Sequence, residues 1–345
     1  MPPRNRRQSV TILDVARHAG VSPMTASRVM NNNPQVGQAM RERVLASAKT
    51  LEYRPNLAGR SLRMSSIARV GVLYSNPSAA YLNQFMLGVL EESSLSGAQI
   101  MLQKCAGMRS QRQAMERLLD ASVDGVILPP PLCDSRQTIQ QLDTANVPVV
   151  AVATGSPMEG VTSVRIDDYQ GACAMTQYLL KLGHRRIGFI KGDPAHTPAQ
   201  LRAQAFFDTM AAAGLAVPEA HLAQGLFTYK SGLTAARKLL QETDRPSAIF
   251  SSNDDMAAAT IAVAHGMGLN VPRDLTVVGF DDTPVAVTIW PALTTIHQPV
   301  AAMGRTAVRL ILDQIRRRDE ARARTVAHQV MKFTLVKRDS SCAPS

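Results

Sequence analysis

The architecture of the N-terminal part of the chain is decided by residues 11–34, which read TILDVARHAGVSPMTASRVMNNNP. Thr11 and Asp14 place a hydroxyl and a carboxylate three residues apart, which is a capping-box-like start for a first helix. Gly20 can close that helix in the left-handed conformation, which glycine adopts without strain. The stretch therefore predicts a short helix with its own start and stop signals.

A second helix follows at once. Ser22 is a favourable N-cap, and Pro23 suits the first helical position, where its missing N–H costs nothing. This helix should run to Met30, before the breaker at 31–34. Two helices joined by about three residues that include a glycine have the spacing of a helix-turn-helix. A third helix, at about 38–52, should cover the first two with an apolar stripe formed by Met40, Val44, Ala48 and Leu51.

The outer face of the second helix carries small or polar side chains, namely Thr25, Ser27 and Arg28. Such residues suit a DNA major groove, where arginine pairs with guanine and hydroxyl groups hold phosphates. The alternative is an ordinary three-helix bundle whose polar face meets water. Spacing alone leaves both interpretations open.

The net charge of the chain favours a nucleic-acid partner. The 345 residues carry 38 Lys and Arg against 27 Asp and Glu, a formal charge of +11, and residues 1–65 hold eleven of the basic and three of the acidic side chains. A basic N-terminal module on a nearly neutral body is typical of a protein that binds a polyanion, because neutralised phosphates release their counterions. A charged segment that only aids solubility is the alternative interpretation.

Composition argues against several other classes of protein. Hydrophobic residues make up 45% and charged residues 19% of the chain, as in ordinary globular proteins. Four widely separated cysteines (Cys105, Cys133, Cys173 and Cys342) show no metal-ligand spacing, so we expect neither a metal site, nor a disulfide framework, nor a cofactor. The N-terminus lacks the apolar core of a signal peptide, and no stretch of about 18 apolar residues follows it. We therefore expect a cytoplasmic protein with no membrane partner.

Four short segments carry a family signature: TILDVA at 11–16, AGVS at 19–22, SRVMN at 27–31 and YRPN at 53–56. Together they resemble the N-terminal signature of the LacI/GalR family of transcriptional regulators. The resemblance implies that Pro23 and Met24 open the recognition helix and help to select the operator, and that Arg28 reaches base edges. Because neither Pro23 nor Met24 can donate a side-chain hydrogen bond, we expect Met24 to make an apolar contact, such as one with a thymine methyl group. The operator contacts predicted within this module are Thr11, Ser22, Pro23, Met24, Thr25, Ser27, Arg28, Asn31, Tyr53 and Asn56.

Residues 56–63, which read NLAGRSLR, connect this module to the rest of the chain. The segment is too short for a stable isolated helix, and Gly59 lowers its helix propensity further, so we expect it to be disordered without a partner. The family resemblance implies a hinge helix that folds on operator DNA and inserts Leu62 into the minor groove. Ala58 and Leu62 therefore join the predicted DNA contacts, with an ordinary linker as the alternative.

From Ala68 onward, short apolar runs rich in β-branched residues alternate with helical patterns. Continuous apolar strands between helices indicate parallel sheets that are covered by helices on both faces. About 270 residues of this pattern exceed one plain sheet, so two α/β lobes are expected. The predicted strands are 69–74, 99–102, 125–128, 147–153, 162–166, 187–190, 248–250 and 275–280.

The family resemblance continues through this body, in LGHRRIGFI at 182–190, SNDDMA at 252–257 and VVGFDD at 277–282. The family body is similar to periplasmic sugar-binding proteins, which have two lobes joined by three crossovers and a small ligand between them. The expected fold is therefore an all-α helix-turn-helix N-terminal domain followed by a two-lobed α/β domain like that of periplasmic binding proteins. The expected parts are a DNA-binding domain at 1–54, a hinge at 55–66, an effector-binding and dimerisation domain at 67–338 and a tail at 339–345. Within the third part, lobe one is expected at about 68–166 and 299–326, and lobe two at about 167–298 and 327–338.

Candidate ligand residues follow the apolar runs, because ligands of open α/β sheets bind beyond the carboxyl ends of the strands. Asn76 and Ser78 follow the first run, while Asn253 and Asp281, each succeeded by an aspartate, follow two later runs. Carboxylate and amide groups can hold each hydroxyl of a polyol as donor and acceptor at once. These positions therefore predict polyol recognition.

The family resemblance assigns further effector contacts. Asn253 and Asp281 match sugar-contacting residues of the family, Arg202 matches its effector-binding arginine, and Phe227 matches an aromatic residue that packs on the sugar face. The structural alternatives are a solvated helix position for Arg202 and a core position for Phe227. The neighbouring residues Asp254 and Asp282 have a capping role as their alternative. The effector-binding residues predicted from both lines of reasoning are Asn76, Ser78, Arg202, Phe227, Asn253, Asp281 and Gln298.

The chain also departs from the family pattern. Pro198 stands where the family often has a serine before the effector arginine, and Ala153 stands where a pocket aspartate is frequent. The identity of the ligand therefore does not carry over by resemblance, and Arg202 would accept an acidic or phosphorylated sugar as well as a neutral one. The rigid, apolar stretch at 129–131 predicts a wall of the pocket.

The sequence thus predicts a transcriptional regulator, in the first place a repressor of carbohydrate utilisation genes. A homodimer is expected to bind a palindromic double-stranded operator, because a protein that reads half-sites gains affinity and register by doubling. A sugar or sugar derivative between the lobes is expected to control operator affinity through a population shift. Relief of repression is the favoured direction, with activation or corepression left open. No heptad helix follows the final strand-like run at 332–336, so a coiled-coil tetramer is not expected.

Two other classes of protein share part of this pattern. An enzyme that acts on sugars is not expected, because the chain contains no GxSxG, HExxH, GxxxxGKS/T or GxGxxG motif and Asp281 has no recognisable catalytic partner. A solute-binding protein would share the body of the chain. The predicted helix-turn-helix contradicts this class, and so does the lack of a signal peptide.

Overall fold

The computed structural model describes residues 12–30, 37–51, 67–105, 107–320 and 325–344. The chain divides into two compact units, one that ends at Ile67 and one that begins at Ala68. No helix within the described ranges is long and apolar enough to span a membrane.

The described part of the first unit contains three helices in the arrangement that its capping residues predict. They are α1 (Ile12–His18), α2 (Pro23–Met30) and α3 (Gln38–Thr50). Gly20 follows α1 with a φ of +61°, the left-handed conformation expected at a helix end. The Ser22 hydroxyl accepts a hydrogen bond from the Thr25 backbone N–H at 3.1 Å and so caps α2.

One apolar cluster joins the three helices of this unit. The stripe predicted along α3 is correct for Val44 and Ala48, which are buried, and for Leu51, which packs against the cluster. The prediction is wrong for Met40, which is 37% exposed. Met40 lies in the first turn of α3, where its sulfur accepts a hydrogen bond from an exposed arginine side chain on the solvent side of the helix. Ser47 takes the additional buried position on α3.

The second unit is built from alternating strands and helices. Its strands are β1 (Arg69–Tyr74), β2 (Gln99–Lys104), β3 (Gly125–Leu128), β4 (Val149–Val152), β5 (Thr162–Ile166), β6 (Ile187–Lys191), β7 (Leu222–Gln224), β8 (Ala248–Ser251), β9 (Thr276–Val278), β10 (Thr295–His297), β11 (His328–Met331) and β12 (Thr334–Val336). Its helices are α4 (Ala79–Ser96), α5 (Met108–Asp120), α6 (Arg136–Thr144), α7 (Asp168–Lys181), α8 (Thr197–Ala212), α9 (Tyr229–Leu240), α10 (Asp254–Gly266), α11 (Val285–Thr288) and α12 (Val300–Asp319). Short 3₁₀ turns occupy Leu132–Asp134 and Glu219–His221.

The strands form two parallel sheets and one small antiparallel pair. The order is β11-β5-β4-β3-β1-β2 in the first sheet and β7-β6-β8-β9 in the second, and all neighbours within each sheet are parallel. The eight strands predicted from apolar runs all lie in these two sheets. β3, β4 and β8 are buried along their whole length, as expected for strands covered on both faces. The antiparallel pairing of β10 with β12 was not predicted.

Each parallel sheet forms the centre of one lobe, and the chain crosses between the lobes three times, as the family resemblance implies. The crossings lie between β5 and α7, between β10 and α12, and between β11 and β12. The third crossing comes later than expected, because β11 pairs with β5 in the sheet of lobe one. Residues 327–331, expected in lobe two, therefore belong to lobe one.

The expected tail at 339–345 is part of lobe two as far as residue 344. Ser340 is fully buried. Its hydroxyl donates to the Val277 carbonyl at 2.6 Å and accepts from the Thr294 backbone N–H at 2.8 Å. This segment is polar and has no apolar periodicity, so nothing in its sequence indicated that it packs.

Two glycines allow α4 and α12 to pack closely in lobe one. A Cβ atom at Gly88 would overlap the backbone carbonyl of Ala301, and a Cβ atom at Gly304 would lie 2.5 Å from the carbonyl oxygen of Phe85. Because α12 also packs against β3, β4 and β5, the position of α12 affects the whole lobe. The contact therefore has no room for a methyl group on either helix.

We expect Gly88→Ala to lower the free energy of unfolding by about 3 kcal/mol, because the added methyl group meets a backbone atom that cannot move without shifting α12. Gly266→Ala is the matched control, since a Cβ at this helical glycine meets nothing within 4 Å. The control should change stability by less than about 1 kcal/mol. Urea denaturation of the purified proteins measures both values, and equal stability of the two variants would contradict the close packing.

Candidate functional site

A cavity lies between the two lobes, at the carboxyl ends of their strands. All seven residues that the sequence predicts as ligand contacts line it: Asn76, Ser78, Arg202, Phe227, Asn253, Asp281 and Gln298. They are far apart in the chain, and they meet because parallel strands present their carboxyl ends at the same edge of a sheet.

Five further residues line the cavity without having been predicted as ligand contacts: Tyr81, Pro130, Ala153, His196 and Pro198. Pro130 belongs to the stretch predicted as a pocket wall. Ala153 and Pro198 are the two departures from the family pattern, so the departures face the cavity directly. Tyr81 lies in α4 and His196 precedes α8, and neither stretch carries a ligand-binding signal of its own.

Arg202 is 5% exposed and forms the centre of a buried charge network. Its Nε donates to Asp168 Oδ1 at 2.8 Å, and its Nη1 donates to the backbone carbonyl of Ser252 at 2.6 Å. Nη1 also lies 3.6 Å from Asp281 Oδ1, and the guanidinium carbon lies 3.6 Å from the centre of the Phe280 ring. Two carboxylates, a carbonyl and a ring face thus compensate one buried cation, which excludes a solvated position for this arginine.

Two buried carboxyl groups belong to this network, and a third, that of Asp254, interacts electrostatically with one of them. Burial raises the pKa of Asp281 to about 7, although Arg202 acts in the opposite direction. Burial also raises the pKa of Asp168, again against the effect of Arg202. The pKa of Asp254 is raised well above its usual value, first by burial and second by the charge of Asp281. Perturbed carboxyl groups in a cleft mark a candidate functional site, but no three His, Cys, Asp or Glu side chains in the described ranges are placed to hold a metal ion.

Of each pair of polar residues at a strand end, only the first member lines the cavity. Asp254 accepts hydrogen bonds from the Thr283 backbone N–H at 2.7 Å and from the Thr295 hydroxyl at 2.6 Å. Asp282 Oδ1 lies 2.7 Å from a guanidinium nitrogen of Arg338. These two aspartates hold the loop after β9 and the strand β10 in place, and neither is a helix cap.

The polar residues of the cavity are held in fixed orientations. Asn253 Oδ1 accepts from the Met256 backbone N–H at 3.1 Å and caps α10, while its Nδ2 donates to the Phe227 carbonyl at 3.1 Å. Gln298 Nε2 donates to Asp281 Oδ1 at 2.6 Å. Phe227 and Asp281 have φ values of +58° and +115°, which non-glycine residues rarely adopt. Strained backbone of this kind is typical of ligand sites, where the surroundings enforce it.

An aromatic wall closes one part of the cavity. The rings of Phe227 and His196 stack with centroids 5.3 Å apart and an interplanar angle of 21°. Burial lowers the pKa of His196, so its ring is neutral at neutral pH. Stacked rings beside convergent carboxylate and amide groups suit a ligand with an apolar face and a rim of hydroxyl groups.

Several polar contacts join the lobes beside the cavity, and in one of them the Gly155 backbone N–H of lobe one donates to the Thr197 hydroxyl of lobe two at 2.7 Å. The Ser78 hydroxyl of lobe one donates to Asp255 Oδ2 of lobe two at 2.6 Å. Asp134 Oδ2 of lobe one accepts from the hydroxyl and the backbone N–H of Thr197, which begins α8, at 2.8 and 3.1 Å. These bonds can be exchanged for bonds to water when the lobes separate, so they add little net free energy to closure.

The exposed side of α2 carries the predicted DNA contacts that the structure describes. Met24 is 65% exposed, and Pro23 and Arg28 are also exposed. The hydroxyl groups of Ser22 and Thr25 lie 2.9 Å apart in a hydrogen bond. The remaining predicted contacts lie outside the described residues: Thr11, the side chain of Ser27, Asn31, Tyr53, Asn56, Ala58 and Leu62.

Two family models match the chain. One, described as bacterial regulatory proteins of the lacI family, matches residues 11–56, and the other, described as a periplasmic binding protein-like domain, matches residues 176–341. Catabolite control protein A of Priestia megaterium is 33% identical over 307 residues, which are 88% of this chain and 92% of that protein. The HTH-type transcriptional repressor PurR of Escherichia fergusonii is 33% identical over 312 residues, which are 88% of this chain and 90% of that protein. Both relatives are regulators.

Solved structures agree with these matches over nearly the whole chain. A complex of the transcriptional regulator CelR with cellobiose has a TM-score of 0.73 and 33% identity, covering 96% of this chain and 99% of that one. A lac repressor dimer bound to operator and the anti-inducer ONPF has a TM-score of 0.75 and 28% identity, covering 97% of this chain and 100% of that one.

The raised pKa of Asp281 makes stability depend on pH. In the unfolded chain this carboxyl group loses its proton near about pH 4, whereas in the folded protein it keeps the proton up to about pH 7. Because the folded state binds the proton more tightly, the free energy of unfolding falls as pH rises through this window. We expect Asp281→Asn to remove that fall, so that the stability of the variant relative to wild type rises between pH 5 and 7 and is level above about pH 7.5.

Urea denaturation at a series of pH values measures this difference. Asp313→Asn is the control, because hydrogen bonding to Arg317 lowers the pKa of Asp313 and moves its titration below the window. A difference between wild type and Asp281→Asn that stays constant from pH 5 to 8 would contradict a raised pKa at Asp281.

Proposed function

The chain belongs to the lacI family of bacterial regulatory proteins, and we propose that it represses carbohydrate utilisation genes under the control of a small sugar or sugar derivative. The observation that carries this proposal is the cavity between the lobes, which combines carboxylate and amide groups with an aromatic wall. The CelR complex with cellobiose and the operator-bound lac repressor support the two halves of the proposal, sugar and DNA. We assign no catalytic step to the chain.

Operator recognition is assigned to α2 and to the segments around it. In this proposal Met24 and Arg28 reach base edges in the major groove, while Ser22 and Thr25 contact phosphates. The DNA-binding domain ends at residue 54, and the hinge at 55–66 inserts Leu62 into the minor groove. The exposure of Met24 and Arg28 on the same helix supports the first part of this assignment.

A second copy of the chain is proposed as the partner on a palindromic operator. The lac repressor structure contains such a dimer. Within lobe one, α4 exposes Leu87, Leu90 and Leu95 by 58%, 52% and 79%. Neighbouring exposed leucines on one helix are a typical interaction surface, and a dimer that buries them would supply two copies of α2, one for each half-site.

Control by the sugar is proposed as a population shift. A sugar that contacts Ser78 of lobe one and Asp281 of lobe two favours the lobe arrangement in which both can reach it. The polar contacts Ser78–Asp255 and Asp134–Thr197 also belong to that arrangement. The ligand can move the equilibrium only by its difference in affinity for the two arrangements. In the proposed direction, sugar binding changes the spacing of the paired hinges and releases the operator.

Selection of bound fragments from genomic DNA by the purified protein tests the operator and the effector together. We expect recovery of a palindrome, and a loss of occupancy when one pool of neutral or derivatised sugars is present. Recovery of random fragments whose binding no sugar affects would contradict the proposal.

Arg28→Ala should weaken binding to the recovered palindrome by about ten- to a hundredfold, because one bidentate arginine–guanine pair is worth about 1–3 kcal/mol. Arg112→Ala is the matched control, since Arg112 is exposed in lobe one and lies 3.0 Å from Glu116. Fluorescence anisotropy at one fixed salt concentration measures both affinities. An equal loss in the two variants, or no loss in Arg28→Ala, would remove the role assigned to Arg28.

The double variant Leu87→Glu/Leu90→Glu should raise the dimer dissociation constant by about 30-fold or more, because it places two charges in the apolar interface. Met267→Glu, at a position 45% exposed at the end of α10, should leave it unchanged. Sedimentation equilibrium measures the constants. A double variant that dimerises as well as wild type would show that the interface does not include this face of α4.

A further inference from the structure

A second concavity lies on lobe two, at the amino edge of its parallel sheet. Four arginines line it, and each precedes one of three neighbouring strands by one to three residues: Arg185 and Arg186 before β6, Arg245 before β8 and Arg273 before β9. Because parallel strands present their amino ends at one edge of a sheet, the fold brings these four side chains together. The cavity between the lobes lies at the opposite, carboxyl edge. We refer to the second concavity as the arginine pocket.

The arginine pocket carries an excess of positive charge. Among the described residues that line it, Asp274 has the only carboxylate, so the four arginines leave a formal charge of +3. Asp274 Oδ2 already accepts a hydrogen bond from the Asn270 backbone N–H at 2.7 Å, which holds the turn before β9. Like charges that are close together repel each other, and an anion bound between them relieves the repulsion.

The contacts of the individual arginines leave most of this charge uncompensated. Arg185 Nη1 donates to two backbone carbonyls near the end of α7, at 3.0 and 3.1 Å, and these carbonyls carry no net charge. Arg186 lies 3.4 Å from Asp244, but the two side chains are 60% and 72% exposed, and exposed pairs of this kind are weak. Arg245 is exposed, and no side chain in the described ranges forms an ion pair with it.

Hydrogen bonds hold the backbone around the arginine pocket. The Ser247 backbone N–H donates to the Arg186 carbonyl at 2.9 Å, and the Thr276 backbone N–H donates to the Ser247 carbonyl at 3.0 Å. The buried ring of His184 links the Ser247 hydroxyl to the Cys342 carbonyl, and each lies 2.9 Å from one of its nitrogens. The turns that carry the arginines therefore have fixed positions, so an anion meets donors that are already assembled.

The shape and the charge of the pocket restrict its ligand. Its volume of about 360 Å³ lies within the usual range for small-molecule sites. Guanidinium groups bind phosphate oxygens in bidentate fashion, which makes arginine well suited to phosphate recognition. One phosphate group carries a charge of about −1.5 to −2 at neutral pH, so two such groups match the formal charge of the pocket.

We propose that the arginine pocket binds a small molecule with two phosphate groups, which Arg186, Arg245 and Arg273 hold at the amino edge of lobe two. This is a second ligand site, separate from the cavity between the lobes. It needs only the fold of lobe two, so it stands apart from the proposed control by a sugar.

Calorimetric titration of the full chain at one fixed ionic strength tests the proposal. The probes are pyrophosphate, which has two linked phosphate groups, and fructose 1,6-bisphosphate, which has two separated ones. Inorganic phosphate is the counterpart with a single group. We expect at least one of the two probes to bind at one site per chain, and to bind at least tenfold more tightly than inorganic phosphate.

Arg245→Gln should weaken binding of that probe by about tenfold or more, because a charge-assisted hydrogen bond is lost. The double variant Arg245→Gln/Arg273→Gln should weaken it further. Arg112→Gln is the matched control, since it removes the same charge from a side chain of lobe one that is 77% exposed, and it should bind as wild type does. Because Arg245 lies at the opposite edge of the sheet from the cavity between the lobes, its effect also identifies which site the probe occupies.

Thermal unfolding separates binding from a structural role. Since Arg245 is exposed, Arg245→Gln should not lower the unfolding midpoint in the absence of a probe. The bound probe should raise the midpoint of wild type and of Arg112→Gln more than that of Arg245→Gln.

Three results would overturn the proposal. The first is that neither probe binds, and the second is an equal loss of affinity in Arg245→Gln and Arg112→Gln, which would indicate a diffuse effect of net charge. The third is that a peptide of eight aspartates binds through Arg245 more tightly than both probes. That result would assign the pocket to an acidic protein segment instead of a small molecule.

Discussion

The buried positive charge of Arg202 is the constraint on which the site depends. Its two carboxylate partners come from the start of α7 and from the loop after β9, and its carbonyl partner follows β8. One guanidinium group therefore fixes three elements of lobe two around the cavity. Because removal of either carboxylate would leave a buried charge partly uncompensated, the chemistry of the cavity and the stability of this lobe depend on the same network.

Lobe one contributes a different kind of surface to the same cavity. It supplies the uncharged residues Asn76, Ser78 and Tyr81, together with the apolar surface of Pro130 and Ala153. A ligand bound by the charged network of lobe two reaches these groups only when the lobes are close together. The ligand therefore gains its additional contacts in one lobe arrangement, and this difference in contacts is the requirement for a population shift.

Much of the fold and of the site follows from local features of the sequence. The apolar runs predict the eight strands because burial on both faces demands continuous apolar residues. The caps at Ser22 and Gly20 predict the helix-turn-helix because each satisfies a helix end. The predicted cavity residues come from strand ends and from the family pattern. The sequence could not decide which member of the pairs Asn253–Asp254 and Asp281–Asp282 lines the cavity. The choice depends on hydrogen bonds and ion pairs with groups far along the chain, such as Thr295 and Arg338.

The features that the sequence missed all depend on distant contacts. β11 and Ser340 have no strong apolar pattern, and their places are set by β5 and by the loop before β10. Tyr81 lies on a helix that also buries Phe85 and Val89, which form core. The sequence shows only an aromatic side chain at a helical spacing. Whether its hydroxyl has a hydrogen-bond partner depends on the groups that the fold brings near it. Neither the periodicity of the sequence nor a motif reveals such a group.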